Sequence, residues 1–176
     1  HHQVLIIGGG AAGITVSAIL HRRASHLDIV IVEPSQDHYY QPALTLVGAG
    51  AYRLAKTRRP TSGLIPPGVQ WVRDSAQRFE LEANRVVLKS GDSLTYDYLV
   101  VCTGVKLDWD KVTGLAETLG TNGVCSNYSP NSVNYTWECV PKRKAGDKVV
   151  CTQPPMPFKC QGAPQKIATL LAARLR

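Results

Sequence analysis

The chain has 176 residues, 44% of them hydrophobic and 19% charged, which is the composition of an ordinary globular protein with room for one substantial core and the start of another domain. No apolar run reaches eighteen residues, which excludes a membrane-spanning helix, and His1-His2-Gln3 leads into the first strand without a signal-peptide pattern or a metal role for its histidines. The formal net charge of +7 comes from scattered residues and short groups (Arg22-Arg23, Lys56 to Arg59, Lys142 to Lys144), the pattern of solvated surface and not of a nucleic-acid face; phosphate attraction or contact with an anionic membrane is secondary.

The first element is a short apolar run, Val4-Leu5-Ile6-Ile7, that breaks into Gly8-Gly9-Gly10-Ala11-Ala12-Gly13 and resumes with helical spacing. It reads as strand, tight turn and helix. Gly8 suits the turn, Gly10 lets backbone approach a pyrophosphate, and Gly13 lets the helix pack close to the strand. The helix is expected from Gly13 to about Arg23, with Ile14, Ala18 and Ile19 facing inward. A second strand, Asp28 to Val32, ends in Glu33, which lies 33 − 13 = 20 positions after Gly13. A ribose-binding acid is expected at about that interval. Glu33 alone would read equally as a solvated strand end, but the complete unit of strand, glycines, helix, strand and acid points to a dinucleotide site.

Pro34 to Pro42 is a polar and aromatic loop that either lies over a bound nucleotide or is merely pinned by its prolines. Ala43 to Ala49 suits a turn of helix or a segment packed on a flat ring, and Thr61 to Gly68 is turn material. Val69 to Arg73, Arg78 to Leu81, Arg85 to Leu88 and Ser93 to Tyr96 are short strand-like runs, with Gly91-Asp92 as a hairpin turn. They predict an antiparallel excursion on a parallel sheet. Tyr98 to Cys102 is a buried strand whose end, Thr103-Gly104, is small enough to approach a cofactor. Ser132 to Val140 is helical, Lys142 to Asp147 is a charged break, Lys148 to Thr152 is strand-like, and Gln165 to Arg176 is a helix with Ile167, Leu170, Leu171 and Leu175 on one side. The expected organisation is a Rossmann-like α/β domain over residues 1–141 and the beginning of a second, truncated nucleotide-binding-type α/β domain over 142–176.

The five cysteines, Cys102, Cys125, Cys139, Cys151 and Cys160, form neither a CxxC motif nor a zinc-ligand spacing. Cys160 stands just before a helix whose first turn suits Pro164; the helix dipole and Lys159 or Lys166 would each favour a thiolate. It reads equally as a reactive thiol and as a free cysteine packed in a loop. Cys102 and Cys151 read as small core residues, Cys125 as a second thiol, and Cys139 has no implied partner.

These stretches resemble the N-terminal part of the flavin-dependent sulfide:quinone oxidoreductases of bacteria and mitochondria. The matching residues are Gly8 to Thr15, Val32 to Ser35, His38 to Pro42 with Thr45 to Gly50, Arg59-Pro60-Thr61, Ile65-Pro66, Thr103-Gly104 with Leu107-Asp108, Ser126-Asn127-Tyr128, and Lys159-Cys160 with Gly162 to Lys166. The glycine motif is common to many flavoproteins, whereas the Tyr-Gln-Pro loop and the Lys-Cys-x-Gly-Ala-Pro-Gln-Lys segment are far more specific. The resemblance implies an FAD cofactor whose pyrophosphate meets the backbone of Ala11 and Ala12, with Glu33 on the adenosine ribose, Gln41 on the cofactor and Ala76 toward the adenine. It implies that Cys160 is one of two redox cysteines. In such enzymes sulfide attacks a cysteine disulfide or sulfur-bridged pair to give a persulfide, the other cysteine passes electrons to the flavin, and a quinone removes them.

The resemblance further implies peripheral attachment to a bacterial cytoplasmic membrane, or alternatively to the mitochondrial inner membrane; oligomerisation stays open. Family members run to roughly twice this length or more, so this chain is expected to be the N-terminal part of one, with Cys125 a loose substitute for the absent second thiol. Two alternatives remain. An incomplete, non-catalytic FAD-binding module is one. The other, a flavin reductase using NAD(P)H, predicts a second GxGxxG after Lys148, where the sequence instead reads Gln153-Pro154-Pro155-Met156-Pro157.

Overall fold

The computed structural model describes residues 1–154 and 156–175, so Pro155 and the expected end of the last helix at Arg176 lie outside the described residues. The chain divides into two compact units, one formed by His1–His38 with Arg59–Gly104 and the other by Tyr39–Arg58 with Val105–Arg176.

The first unit is built on β1 (His2–Ile7) and β2 (Ile29–Val32), joined by α1 (Ala11–Arg23) and paired in parallel from Val4↔Ile29 to Ile7↔Val32. All four residues of β2 are buried, as in a parallel strand covered on both faces. Alternation sends Leu5, Ile7, Val30 and Val32 to one face, where Val86, Leu88 and Tyr96 cover them. Val4, Ile6, Ile29 and Ile31 go to the other, under Val16 and Leu20 of α1. Each such side chain contributes about 1.5–3 kcal/mol on full burial. The inward face of α1 runs Gly13, Val16, Ser17, Leu20, one residue out of phase with the expected stripe, and Ala18 and Ile19 are exposed. Small Gly13 and Ser17 win the core face because they let the helix axis approach the sheet. The last turn carries His21, Arg22 and Arg23, cations at the negative end of the helix dipole.

Two short strands, β3 (Asp37–Tyr39) and β4 (Arg58–Pro60), form a separate two-stranded sheet. The main sheet adds β5 (Gln70–Val72), β6 (Ala76–Glu80), β7 (Arg85–Leu88) and β8 (Ser93–Val101), in the order β5-β2-β1-β8-β7-β6. The expected Rossmann-like α/β architecture, a mainly parallel sheet with an antiparallel excursion, is present. Two details differ. β5 belongs to the parallel part, pairing Val30↔Gln70 through Val32↔Val72, because the long connection after Val32 supplies the crossover that a parallel neighbour requires. The runs 93–96 and 98–102 merge into the single strand β8, since Asp97 is exposed but adds no turn; it pairs antiparallel with β7 (Val86↔Leu94) and parallel with β1 (Val4↔Tyr98 to Ile7↔Val101). The hairpin between β7 and β8 turns at Gly91, φ +99, as its sequence predicts.

The second unit is helical: α2 (Leu44–Gly48), α3 (Leu115–Thr118), α4 (Val133–Cys139) and α5 (Ala163–Arg174). Leu44, Val47 and Val133 cluster with Leu54, while Ala49, Ile167 and Leu171 cluster with Val140, Leu170 and Leu175, so the predicted apolar side of α5 is its packed side. The expected strand at Lys148 to Thr152 is absent, with Val150 80% exposed. A strand needs a neighbour for its amides and carbonyls, and this segment pairs with none among the described residues. No described helix is long and apolar enough to cross a membrane.

Candidate functional site

In the first unit the chain leaves β1 at Gly8, whose φ of +103 disfavours any side chain and where a Cβ would collide with the Cys102 carbonyl. A Cβ at Gly13 would run into the Gly8 carbonyl oxygen, so the turn and the first turn of α1 are in direct backbone contact. Gly10 is different: an added Cβ there would meet nothing within 4 Å. Among the described residues no side chain caps α1; its first turn contains no acid, and Ala11 and Ala12 are exposed. The first amides of a helix have no intrahelical acceptor and carry the positive end of its dipole. An uncapped, exposed start with free space beside it has the chemistry of an anion seat.

Glu33, at the end of β2, reaches this turn. Gly9 N–H donates to Glu33 Oε2 at 2.8 Å, and Ser35 N–H donates to Oε1 at 2.7 Å. Trp71 Nε1–H donates to the Glu33 carbonyl at 2.9 Å and steadies the strand end. An ionised carboxylate offers about four acceptor positions, so two stay open to further hydroxyl donors. The residues fit a dinucleotide: backbone donors for its phosphates begin at Ala11, and a half-buried carboxylate for its ribose is held by Gly9 N–H.

Cys102 N–H donates to the Ile7 carbonyl at 2.7 Å, which carries the pairing of β1 with β8 as far as the glycine turn. Thr103 therefore follows beside Gly8, and exposed Gly104 takes φ +72. Cys102 packs on the Ile6 core cluster, as a small apolar residue would. Ala76 opens β6, opposite Leu88, and packs on the other core cluster.

The second unit gathers the remaining candidates. Gln41 begins a short 3-10 turn, Gln41–Ala43, immediately before α2. Lys159 Nζ donates to Gln41 Oε1 at 2.7 Å, which fastens the residue before Cys160 to the Tyr-Gln-Pro loop. Cys160 is exposed and takes φ +62, a left-handed conformation that costs a non-glycine residue about 1–2 kcal/mol. Its carbonyl accepts Ala163 N–H at 2.9 Å, tying it to the start of α5, where Pro164 stands in the first turn. Burial, and then the charge of Cys160, push the Tyr128 phenol above its ordinary range, so Tyr128 lies within electrostatic reach of that sulfur. Local sequence could not have supplied this pair, which is separated by thirty-two positions.

The other thiols depart from their sequence readings. Cys151 is exposed and lies in no strand, so it is not a core residue. Cys139, which has no partner implied by sequence, has its sulfur 3.8 Å from that of Cys125. Burial, reinforced by Cys139, pushes the Cys125 thiol up to about 11, so it is protonated at neutral pH.

A strand, a glycine turn, an uncapped helix start and an acid closing the next strand define a Rossmann-like domain of the dinucleotide-binding class. The chain belongs to the pyridine nucleotide-disulphide oxidoreductase family, whose model matches residues 2–129. It is 47% identical over 175 residues to the mitochondrial sulfide:quinone oxidoreductase of Dictyostelium discoideum, a match covering 99% of this chain and 39% of that protein. It is 42% identical over 176 residues to the mitochondrial sulfide:quinone oxidoreductase of Mus musculus, covering 100% of this chain and 39% of that one. The crystal structure of the sulfide:quinone oxidoreductase from Aquifex aeolicus superposes with a TM-score of 0.66 at 26% identity, over 81% of this chain and 32% of that chain. The chain thus spans about two fifths of the length of these two mitochondrial relatives.

Proposed function

We propose that this chain binds FAD and takes part in oxidising sulfide, with the electrons passing to a quinone. The observation that carries the cofactor reading is the meeting of Glu33 with Gly9 beside the uncapped start of α1. In this reading the amides at Ala11 and Ala12 face the pyrophosphate, Gly8, Gly10 and Gly13 shape and clear its seat, and Glu33 accepts from the adenosine ribose. Ala76 meets the adenine side, while Gln41, Thr103 and Gly104 contact the cofactor. Bound FAD supplies a two-electron acceptor.

Cys160 is one of the two redox cysteines: sulfide attacks the disulfide that joins the pair, one cysteine becomes the persulfide, and the other, Cys160 in this reading, leaves as the thiolate. Cys160 is exposed, and the amino end of α5, with Lys159 or Lys166, favours its thiolate, the form that would pass two electrons to bound FAD. The identity of sulfide and quinone as substrates is supported by 47% identity to a mitochondrial sulfide:quinone oxidoreductase over a stretch that includes Cys160. Quinones reside in lipid, so the working protein is peripheral to a membrane, bacterial cytoplasmic or mitochondrial inner. Residues 142–176 begin a second nucleotide-binding-type domain in this reading.

The test begins with flavin uptake. The purified chain, incubated with FAD and desalted, is expected to stay yellow and to bleach on anaerobic addition of sulfide. Cys160→Ser is expected to keep the colour and lose the bleaching. A chain that retains no flavin overturns the cofactor site, and equal bleaching of both proteins removes Cys160 from the reaction.

A further inference from the structure

We propose that Cys125 and Cys139 form a reversible disulfide, a thiol latch between the turn before Ser126 and the last turn of α4. The two sulfurs are 3.8 Å apart, with the Cys125 thiol donating toward Cys139 Sγ. A formed bond measures about 2.05 Å, so closure needs only a short approach of the two side chains. The backbone segments that carry them are already joined. Gly123 N–H donates to the Tyr135 hydroxyl at 3.0 Å, and Ser132 Oγ–H donates to the Ser126 carbonyl at 3.2 Å. These contacts bracket Cys125 in sequence, two residues before it and one after, and both end on α4 or its cap. The loop-closure entropy that normally opposes disulfide formation has been met by the fold. Both cysteines are half-buried free thiols.

The oxidant is a small-molecule disulfide, RSSR. Attack begins from Cys139, because Cys125 is held protonated. The Cys139 thiolate forms a bond to one sulfur of RSSR and expels RS⁻. Cys125 then loses its proton, attacks the Cys139 sulfur and expels the second RS⁻. Two cysteine thiols are oxidised by two electrons in all, one RSSR is reduced to two RSH, and the two cysteine protons end on the two RSH. A reducing dithiol reverses the exchange. The second step needs the Cys125 thiolate, which burial disfavours, so ring closure quickens with rising pH. The closed latch fixes Ser126 between the new bond and the Ser132 contact, and so limits the freedom of the Asn127-Tyr128 segment that follows.

No Lys or Arg lies between Lys111 and Lys142, so trypsin leaves both cysteines on one peptide, residues 112–142. The intact chain is exposed to oxidised glutathione, alkylated with iodoacetamide, unfolded and digested without reductant. The expected peptide carries no alkyl group and is lighter than its dithiol form by two hydrogens; dithiothreitol before alkylation restores two alkyl groups. Cys125→Ala, which keeps the fold's small apolar volume, is expected to leave glutathione stably attached at Cys139. Persistence of the doubly alkylatable peptide while exposed Cys151 or Cys160 has taken up glutathione would overturn the latch. Stable glutathione on Cys139 in the unsubstituted chain would overturn it equally, because an adjacent thiol in reach must displace it.

Discussion

Lys159 Nζ donates to Gln41 Oε1 at 2.7 Å, joining two segments 118 residues apart in sequence. The contact brings together the two most specific stretches of the chain, the Tyr-Gln-Pro loop and the Lys-Cys segment. It also holds a cation on the residue next to Cys160. Lys159→Met is therefore expected to slow alkylation of Cys160 at neutral pH, by about fivefold at most, because one exposed cation is worth about 1 kcal/mol or less. Gln41→Leu keeps the cation and removes the tie. If it slows alkylation as much as Lys159→Met does, position matters more than charge. An unchanged rate in Lys159→Met would refute both roles, and peptide-resolved alkylation kinetics read all three proteins.

Gly10 and Gly13 make opposite predictions from the same turn. Gly13→Ala puts a methyl into the Gly8 carbonyl, and overpacking of that kind costs about 1–3 kcal/mol, visible as a lower urea midpoint. Gly10 has φ −72 and open space around its missing Cβ, so Gly10→Ala is expected to leave the midpoint unchanged or raise stability by under about 1 kcal/mol. That methyl would nevertheless occupy room assigned to the pyrophosphate, and FAD affinity should fall about tenfold, or ~1.4 kcal/mol. Undiminished FAD binding by a well-folded Gly10→Ala protein would move the phosphates elsewhere.

Glu33→Gln keeps an acceptor for Gly9 N–H and removes the charge. Hydrogen bonds to charged groups are worth about 1.5–3 kcal/mol against about 0.5–1.5 for neutral ones. A loss of about tenfold in FAD affinity is expected with little change in the unfolding midpoint, measured by quenching of flavin fluorescence on titration. A Glu33→Gln protein that binds FAD like its parent would leave the ribose without its assigned acceptor.

These contrasts follow what a sequence can carry. The unit from Val4 to Glu33 was legible because its parts are local: an apolar run, glycines that remove specific clashes, and an acid ending the next strand. The Gly91-Asp92 hairpin was legible for the same reason. The phase of α1 is hidden in the sequence because Ala18 and Ile19 are more apolar than Gly13 and Ser17, yet close approach to the sheet selects small size over hydrophobicity. Val149 and Val150 have strand propensity but no pairing strand among the described residues. Contacts such as Lys159 with Gln41 and Cys125 with Cys139 depend on how distant segments fold together, and no spacing in the sequence encodes them.

Alkaline pH tests the thiol pair and its neighbour together. Burial raises the Cys125 thiol from an ordinary 9.0 to about 11, and burial with the charge of Cys160 raises Tyr128 above its ordinary 10.0. Both groups are neutral when protonated, and the folded chain keeps those protons to higher pH than the unfolded chain does. Their contribution to stability is fully present below pH 9.0 and is lost as pH climbs toward about 11, because the unfolded state then binds fewer protons than the folded one. Urea midpoints of the reduced chain should accordingly fall across that window. Cys125→Ala should flatten the part of the decline that begins near 9.0, and Tyr128→Phe the part that begins near 10.0. A decline of the same slope in Cys125→Ala would mean that the Cys125 thiol is not shielded from water, and with it would go the reason for assigning the first sulfur attack to Cys139.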